Sequence, residues 1–257
     1  MVGDIAMDDP VIRTLLAIVM KRLDTGSPWI VSNLPGAPFW DAPADGSFHG
    51  NRGYRLARLL MASTAAPTFF QQQEIEIGPG ESGVFVDGGA SPHNDPSLAL
   101  LMLARLKVFG LEWPTGPERL SILSIGTGHH RRRTDAARLA ASGPVTVAYN
   151  ALMGVIADNE ALVQALMQGL GSSRLPVWLN AELGAVADGG LVGAPILDYL
   201  RLDMPIDEET VASLDTNRKA PSIGRLRGIT DPQIIRPLYD MARTYCARRY
   251  DLSELLP

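Results

Sequence analysis

The sequence predicts an α/β protein with a mainly parallel sheet, and three observations support that fold class. Short apolar runs that suit strands buried on both faces alternate with longer segments of helical periodicity. The chain has 257 residues, of which 46% are hydrophobic and 20% charged, and this composition is typical of a folded globular protein. Because no internal repeat or low-complexity linker interrupts the chain, we expect one domain over residues 1–257.

The first 90 residues contain two predicted strands, one long loop and one predicted helix. The apolar run 15–20 predicts a strand, and the stretch 33–53 that follows is rich in Pro and Gly and indicates a long loop. Apolar residues recur at helical spacing over 54–61, which predicts a helix. A short strand over 83–86 is expected to stop at the following Asp-Gly-Gly.

The next helix has signals at both ends. Asn94 is a capping residue and Pro96 suits the first helical position, so a helix is expected from there to about Phe109, where Gly110 can end it. The remaining periodicities predict strands at 120–125, 177–180 and 197–203, and helices at 145–170 and 233–249.

Charge and cysteine content exclude several classes of protein. The chain carries 23 Lys and Arg against 28 Asp and Glu, a net charge of −5, which gives no electrostatic reason to expect nucleic acid as a partner. The single cysteine, Cys246, excludes a disulfide framework and a multi-cysteine zinc site. An acidic start at Asp4, Asp8 and Asp9 does not fit a secretory signal, so we expect a cytoplasmic protein.

Asp87 has two interpretations from its immediate sequence. Asp-Gly is a common turn dipeptide, and a carboxylate at a strand end more often caps a turn than takes part in chemistry. The alternative is that Gly88 and Gly89 let the backbone pass close to a second catalytic group and hold Asp87 as a base.

Three short segments carry a resemblance to a known family. They are Ala-Ser-Thr-Ala-Ala-Pro-Thr-Phe-Phe at 62–70, Val-Asp-Gly-Gly at 86–89 and Ile-Gly-Thr-Gly at 125–128. In this order they resemble the patatin-like phospholipases, and the segments 23–27 and 51–58 fit the same pattern. The resemblance is strongest over 11–128, whereas 142–257 is mostly helical in character and resembles the family less.

The resemblance implies a three-layer α/β/α fold and hydrolysis of lipid acyl esters by a Ser–Asp dyad. Asp87 matches the aspartate of the dyad, with Gly88 and Gly89 completing its motif loop. In the family this aspartate activates the serine directly, without a histidine. The resemblance implies a lipid or acyl ester substrate and peripheral contact with membranes, and it implies no metal or organic cofactor.

The serine of the dyad has no counterpart in the sequence. No Gly-x-Ser-x-Gly is present, and the nearest approach, Ser91, follows Gly89 but has His93 in place of the second glycine. A glycine-rich oxyanion segment is also absent, and the unit carrying both elements would precede Val11. The resemblance therefore implies that this chain is the carboxyl-terminal portion of such a domain and that it is inactive by itself. The alternatives are a non-catalytic lipid-binding or interaction domain, and half of a split reading frame.

Missing N-terminal strands have a consequence for association. They would leave an apolar sheet edge uncovered, so we expect self-association through that edge.

Five other features of the sequence have to be interpreted. Residues 126–133 indicate either a solvated basic turn, which we favour, or an anion site for phosphate or lipid headgroups. His129 and His130 lack an acidic pair at ligand spacing, so no metal site is expected. Asp188-Gly189-Gly190 indicates a turn.

Three arginines near Cys246 favour a lowered pKa for its thiol, although a structural thiol is the simpler interpretation. Phe39, Trp29 and Trp40 suit either an acyl site or packing.

Overall fold

The computed structural model describes residues 4–129, 135–180, 182–186, 190–214, 222–226 and 231–251. Helices and strands are mixed along the chain, which confirms the α/β class, whereas the three-layer patatin-like arrangement stays a prediction. The chain forms two compact units. The first unit comprises Met1–Ser124 and Pro144–Leu200, and the second comprises Ile125–Gly143 and Arg201–Pro257.

The largest sheet has four antiparallel strands in the first unit. These are β1 (Ala17–Arg22), β2 (Pro28–Ser32), β3 (Gln73–Gly78) and β4 (Glu81–Asp87), in the spatial order β2-β1-β4-β3. The expectation of a mainly parallel sheet is wrong for this sheet. The reason is that residues 23–27 and 79–80 form short hairpin connections, and parallel strands need a crossover of a dozen residues or more.

The parallel arrangement is found in a smaller sheet. Its strands are β5 (Ser121–Ile125) and β8 (Asp198–Leu202), and a separate antiparallel pair is formed by β6 (Trp178–Asn180) and β7 (Gly184–Ala185). The Leu120 carbonyl accepts from the Asp198 N–H at 2.8 Å, and the Leu202 carbonyl accepts from the Gly126 N–H at 2.8 Å. Both strands therefore advance in the same direction.

Most helices follow the apolar periodicity that predicted them. They are α1 (Leu56–Ser63), α2 (Ser97–Arg105), α3 (Ala136–Ala140), α4 (Pro144–Leu170), α5 (Glu208–Leu214), α6 (Ile223–Leu226) and α7 (Ile235–Arg249). The helix expected to reach Phe109 instead ends at Arg105, and a short 3₁₀ turn, Lys107–Phe109, follows it. Gly110 then takes the left-handed conformation with φ 74°.

Helix α1 packs on the antiparallel sheet because its apolar residues recur at positions 56, 59 and 62. These side chains join Met20, Val31 and Phe85 of the strands in one core, in which Met20, Leu59 and Phe85 have no exposed surface. The chain leaving α1 reaches the end of β4, where the Asp87 N–H donates to the Ala65 carbonyl at 3.1 Å. This packing fixes the carboxyl end of β4.

Two further cores lie elsewhere in the chain. In the first unit, Val163 and Met167 of α4 pack with Leu101, Ile122 and Tyr199. In the second unit, a core forms from six residues: Met204, Ile206, Val211, Leu214, Leu226 and Met241.

Much apolar surface remains exposed on α4 and β5. In α4 only residues from Val163 onward are buried, and its earlier turns expose Val145, Val147, Tyr149, Leu152, Val155 and Leu162. Leu123 and Ile125 of β5 are also exposed, and within the described part of the chain no strand pairs with the second edge of β5. None of the described helices is long and apolar enough to cross a bilayer.

Candidate functional site

Asp87 is held at the carboxyl end of β4, opposite Met20 of the neighbouring strand. Its Oδ1 accepts the Gly89 N–H at 2.6 Å, so this oxygen caps the turn that follows, as the structural interpretation of Asp-Gly predicts. Its Oδ2 makes no hydrogen bond with any described residue. Burial raises the pKa of the half-buried carboxyl above its usual range, and the Gly89 hydrogen bond opposes that shift. The result is a fixed carboxylate with one oxygen able to accept a proton.

Close approach requires glycine at position 88, and at position 89 an added Cβ would displace two side chains. A Cβ on Gly88 would lie 2.5 Å from the Val19 carbonyl oxygen, which is backbone and cannot move aside. A Cβ on Gly89 would lie 2.8 Å from the Asn94 Oδ1 and 3.1 Å from the Asp87 Oδ1. The Asp-Gly-Gly sequence therefore lets the loop close against β1 and against its own next turn.

The rest of this loop is fixed by side-chain hydrogen bonds. The buried Ser91 hydroxyl donates to the Gly88 carbonyl at 2.6 Å, and the His93 N–H donates to the Ser91 Oγ at 3.2 Å. Burial lowers the pKa of His93, whose Nδ1 is buried and has no partner among the described residues. Ser91 is thus occupied in the loop rather than presented as a nucleophile.

Asn94 connects the loop to helix α4. Its side-chain amide donates to the Glu160 Oε2 at 2.9 Å, and Gln164 donates to the Glu160 Oε1 at 3.2 Å. The sequence predicted that Asn94 caps the helix that follows it, and the contact with Glu160 was not predicted. The residues are 66 positions apart, so no local pattern contains the signal.

The segment 62–70 meets the Asp-Gly-Gly loop at β1. The Ser63 hydroxyl donates to the Val19 carbonyl at 2.7 Å, the same carbonyl that faces Gly88. Beyond it, Thr68 has a positive φ of 73°, and Phe69 and Phe70 are exposed. The structure therefore brings together two of the three segments that carry the resemblance.

The third segment, 125–128, wraps a buried carboxylate in the second unit. The Gly128 N–H donates to the Asp203 Oδ1 at 2.9 Å, and a Cβ on Gly126 would lie 2.3 Å from the Asp203 Cγ. Burial raises the pKa of Asp203, but the hydrogen bond from His129 and the charge of Arg201 outweigh burial and hold it below its usual range. Because Asp203 already takes the amide that an anion would need, this turn does not support a phosphate site. Residues 130–133 lie outside the described residues.

Two smaller expectations have different outcomes. Burial and the negative charge of Asp203 raise the pKa of Cys246, so the lowering expected from nearby arginines is wrong. The turn expected at Asp188-Gly189-Gly190 falls partly on residues that the structure does not describe.

Two further features of the sequence are its potential metal ligands and its aromatic residues. No group of three or more His, Cys, Asp or Glu in the described ranges is arranged to hold a metal ion. Trp40 is buried in the core, whereas Trp29 and Phe39 line a cavity in the first unit.

Comparison with known proteins returns no relative: neither a family model nor a curated protein matches this chain.

Replacing Gly88 by Ala should destabilise the protein by about 1–3 kcal/mol, because the added Cβ meets the Val19 carbonyl at 2.5 Å. Urea unfolding followed by circular dichroism measures the change. Gly53→Ala is the matched control, since a Cβ at Gly53 meets nothing within 4 Å. Equal stability of the two variants would contradict the close approach described above.

Replacing Asp87 by Asn should raise stability at pH 7 and have little effect near pH 3. Burial raises the folded-state pKa of Asp87 above its ordinary value of 3.8, so the stability tied to this group is full below 3.8 and is lost as the pH rises through the folded-state pKa. Asn keeps an acceptor for the Gly89 N–H but carries no charge. The urea midpoint at both pH values measures the effect, with the exposed Asp158→Asn as control. A lower midpoint for Asp87→Asn at pH 7 would show that the charge stabilises the fold.

Proposed function

We propose that this chain supplies the carboxylate of a Ser–Asp acyl hydrolase that cleaves lipid acyl esters, as in the patatin-like phospholipases it resembles. One observation carries the proposal: Asp87 has one oxygen fixed by the Gly89 N–H, and its other oxygen accepts no hydrogen bond from the residues that the structure describes. The pKa of Asp87, which burial raises, supports the proposal, because catalytic bases commonly have perturbed pKa values.

In this proposal Asp87 is the general base. Its Oδ2 takes the proton from the serine hydroxyl while the serine oxygen attacks the ester carbonyl, and the leaving alcohol then receives that proton. The ester C–O bond breaks as the alcohol leaves, and the acyl group stays on the serine. Water then attacks the acyl carbonyl while Asp87 takes its proton, and that proton passes to the serine oxygen as the acyl–serine bond breaks, which releases the acid and restores the serine. The raised pKa favours the step because a stronger base takes a hydroxyl proton more readily.

The serine and the oxyanion donors are proposed to come from outside these 257 residues. The sequence contains no Gly-x-Ser-x-Gly, and Ser91 donates its hydroxyl to the Gly88 carbonyl. Loss of a serine nucleophile costs on the order of 10⁶ in kcat, and loss of one oxyanion donor costs roughly 10²–10³. We therefore propose that this polypeptide by itself hydrolyses no ester at a useful rate. Half of a split reading frame is one route to this arrangement.

A non-catalytic lipid-binding or interaction domain is the second candidate. It is favoured by exposed apolar side chains on α1 and on the segment that follows it: Leu60 and Met61 in the helix, and Phe69 and Phe70 after it. Peripheral contact with a membrane surface would use the same residues. Under this proposal Asp87 only caps its turn.

The two candidates differ in what the coding DNA upstream of the Met1 codon contains. If the first is right, an in-frame or frameshifted Gly-x-Ser-x-Gly is present there, and the joined protein hydrolyses p-nitrophenyl esters and reacts with a fluorophosphonate probe. Asp87→Asn should abolish at least 99% of the hydrolysis, because it removes the base. Asp158→Asn is the control.

Full activity in Asp87→Asn of the joined protein would exclude Asp87 as the base. Rapid ester hydrolysis by the 257-residue chain, lost in Asp87→Asn, would show that an activated serine lies within this chain. Unrelated upstream sequence would favour the binding domain.

Self-association is proposed to follow from the apolar surface left on α4 and at the edge of β5. The double change Leu152→Glu and Val155→Glu should shift the sedimentation coefficient towards that of the monomer, because it charges two exposed apolar positions of α4. Ala157→Glu adds a charge to the exposed opposite side of the same helix and should leave association unchanged. A wild-type chain that is monomeric at all concentrations would contradict this proposal.

A further inference from the structure

A cavity of about 540 Å³ lies in the first unit, beside the edge strand β2. Its volume is within the range of small-molecule sites, and five of its fifteen lining residues are aromatic: Trp29, Phe39, Phe48, Tyr54 and Phe109. Asp87 does not line it. The cavity is therefore separate from the candidate catalytic site, and an inference about it does not depend on the proposed hydrolase function.

The rings of the lining are arranged in pairs. Trp29 and Tyr54 meet edge to face with their centroids 5.4 Å apart, and Phe39 and Phe48 meet similarly at 5.2 Å. Trp29 also contacts the buried Phe85 at 4.7 Å, which ties it to the core. Paired rings of this kind leave further faces and edges for a third ring, and such ring contacts favour an aromatic guest over a saturated chain.

Tyr54 is one of the lining residues and carries a hydroxyl. Its side chain is 8% exposed, and its hydroxyl makes no hydrogen bond with any described residue. Burial raises the pKa of this hydroxyl to about 12, so it stays protonated and able to donate. A donor without a partner in an aromatic cavity favours a ligand that carries an acceptor.

The charges at the cavity favour an uncharged ligand. Arg22 and Glu81 both line the cavity and pair with each other at 3.6 Å, and the Arg22 guanidinium also pairs with Asp24 at 2.6 Å. An anionic ligand would have to compete with these two carboxylates for Arg22, and a cationic ligand would have to compete with Arg22 for Glu81. Both charged classes would also lose hydration on entering an apolar site.

Phe39 holds an unusual conformation at this cavity. It has a positive φ of 66°, which is costly for a bulky side chain, and 63% of its surface is exposed. The Asn51 N–H donates to the Phe39 carbonyl at 2.7 Å and so helps to fix this backbone. Backbone strain that places an apolar ring on the surface is typical of functional sites.

We propose that this cavity binds an uncharged aromatic molecule whose acceptor group receives the Tyr54 hydroxyl, with Phe39 covering the bound ring. The site is assigned to a ligand class and not to a named compound. A second hollow of about 460 Å³ shares His49 and Tyr54 but is lined by Arg52, Arg55 and Arg58, and its charge suits a different kind of molecule.

The test titrates the purified chain with prodan, a neutral naphthyl ketone whose emission shifts to the blue in an apolar site. We expect saturable binding with a blue shift. Tyr54→Phe should weaken it about three- to tenfold, because it removes only the donor. Phe39→Gly should weaken it by a similar factor, since it removes the covering ring while suiting the positive φ.

Controls separate binding from folding. Because the Tyr54 hydroxyl has no hydrogen bond to lose, Tyr54→Phe should keep the urea midpoint of the wild type. Arg58→Ala changes the charged hollow alone and should leave prodan affinity unchanged. Acetophenone should displace prodan, whereas octanol at the same concentration should not.

Four results would overturn the proposal. The first is the absence of saturable binding, and the second is unchanged affinity in either Tyr54→Phe or Phe39→Gly. The third is displacement of prodan by octanol that is as effective as displacement by acetophenone. The fourth is loss of binding in Arg58→Ala. The last result would place the probe in the charged hollow. None of these outcomes bears on Asp87, so failure here leaves the proposed hydrolase function to be judged by its own experiment.

Discussion

The contact between the Gly88 backbone and the Val19 carbonyl is the constraint on which the candidate site depends. That carbonyl accepts the Ser63 hydroxyl at 2.7 Å and lies 2.5 Å from where a Cβ on Gly88 would be. One carbonyl of β1 therefore fixes both the end of α1 and the start of the Asp-Gly-Gly loop. The hydrogen bond from the Asp87 N–H to the Ala65 carbonyl adds a second connection between the two segments.

The same contact explains why a carboxylate is kept in a partly buried position. The loop can close only with glycine after Asp87, and closing it brings the Gly89 N–H within 2.6 Å of the Asp87 Oδ1. One hydrogen bond offsets only part of the cost of burying a charge, and the pKa of Asp87 stays raised. The charge lowers stability at neutral pH, and only the proposed role as a base would require it, since the turn needs no more than an acceptor for the Gly89 N–H.

The sequence predicted elements well wherever local periodicity decides them, as for α1, α4 and α7. It failed where distant residues decide. Strands β2 and β3 were missed because they are short and depend on pairing with β1 and β4, and the short hairpins made the sheet antiparallel.

In the candidate site, the turn at Asp87-Gly88-Gly89 was predicted from its residue types and their spacing. The Asn94–Glu160 contact was not, since 66 residues separate its partners.

One sheet supports both proposed sites, and this limits how each can vary. Met20 of β1 pairs with Trp29 on one side and with Asp87 on the other, so these two residues are two strand spacings apart, about 10 Å. Met20 itself has no exposed surface and packs in the core with α1. A change in β1 that shifts its register by one residue would turn every side chain of the strand to the opposite face. The aromatic cavity and the Asp87 loop are thus chemically independent but share one structural requirement, the register of β1.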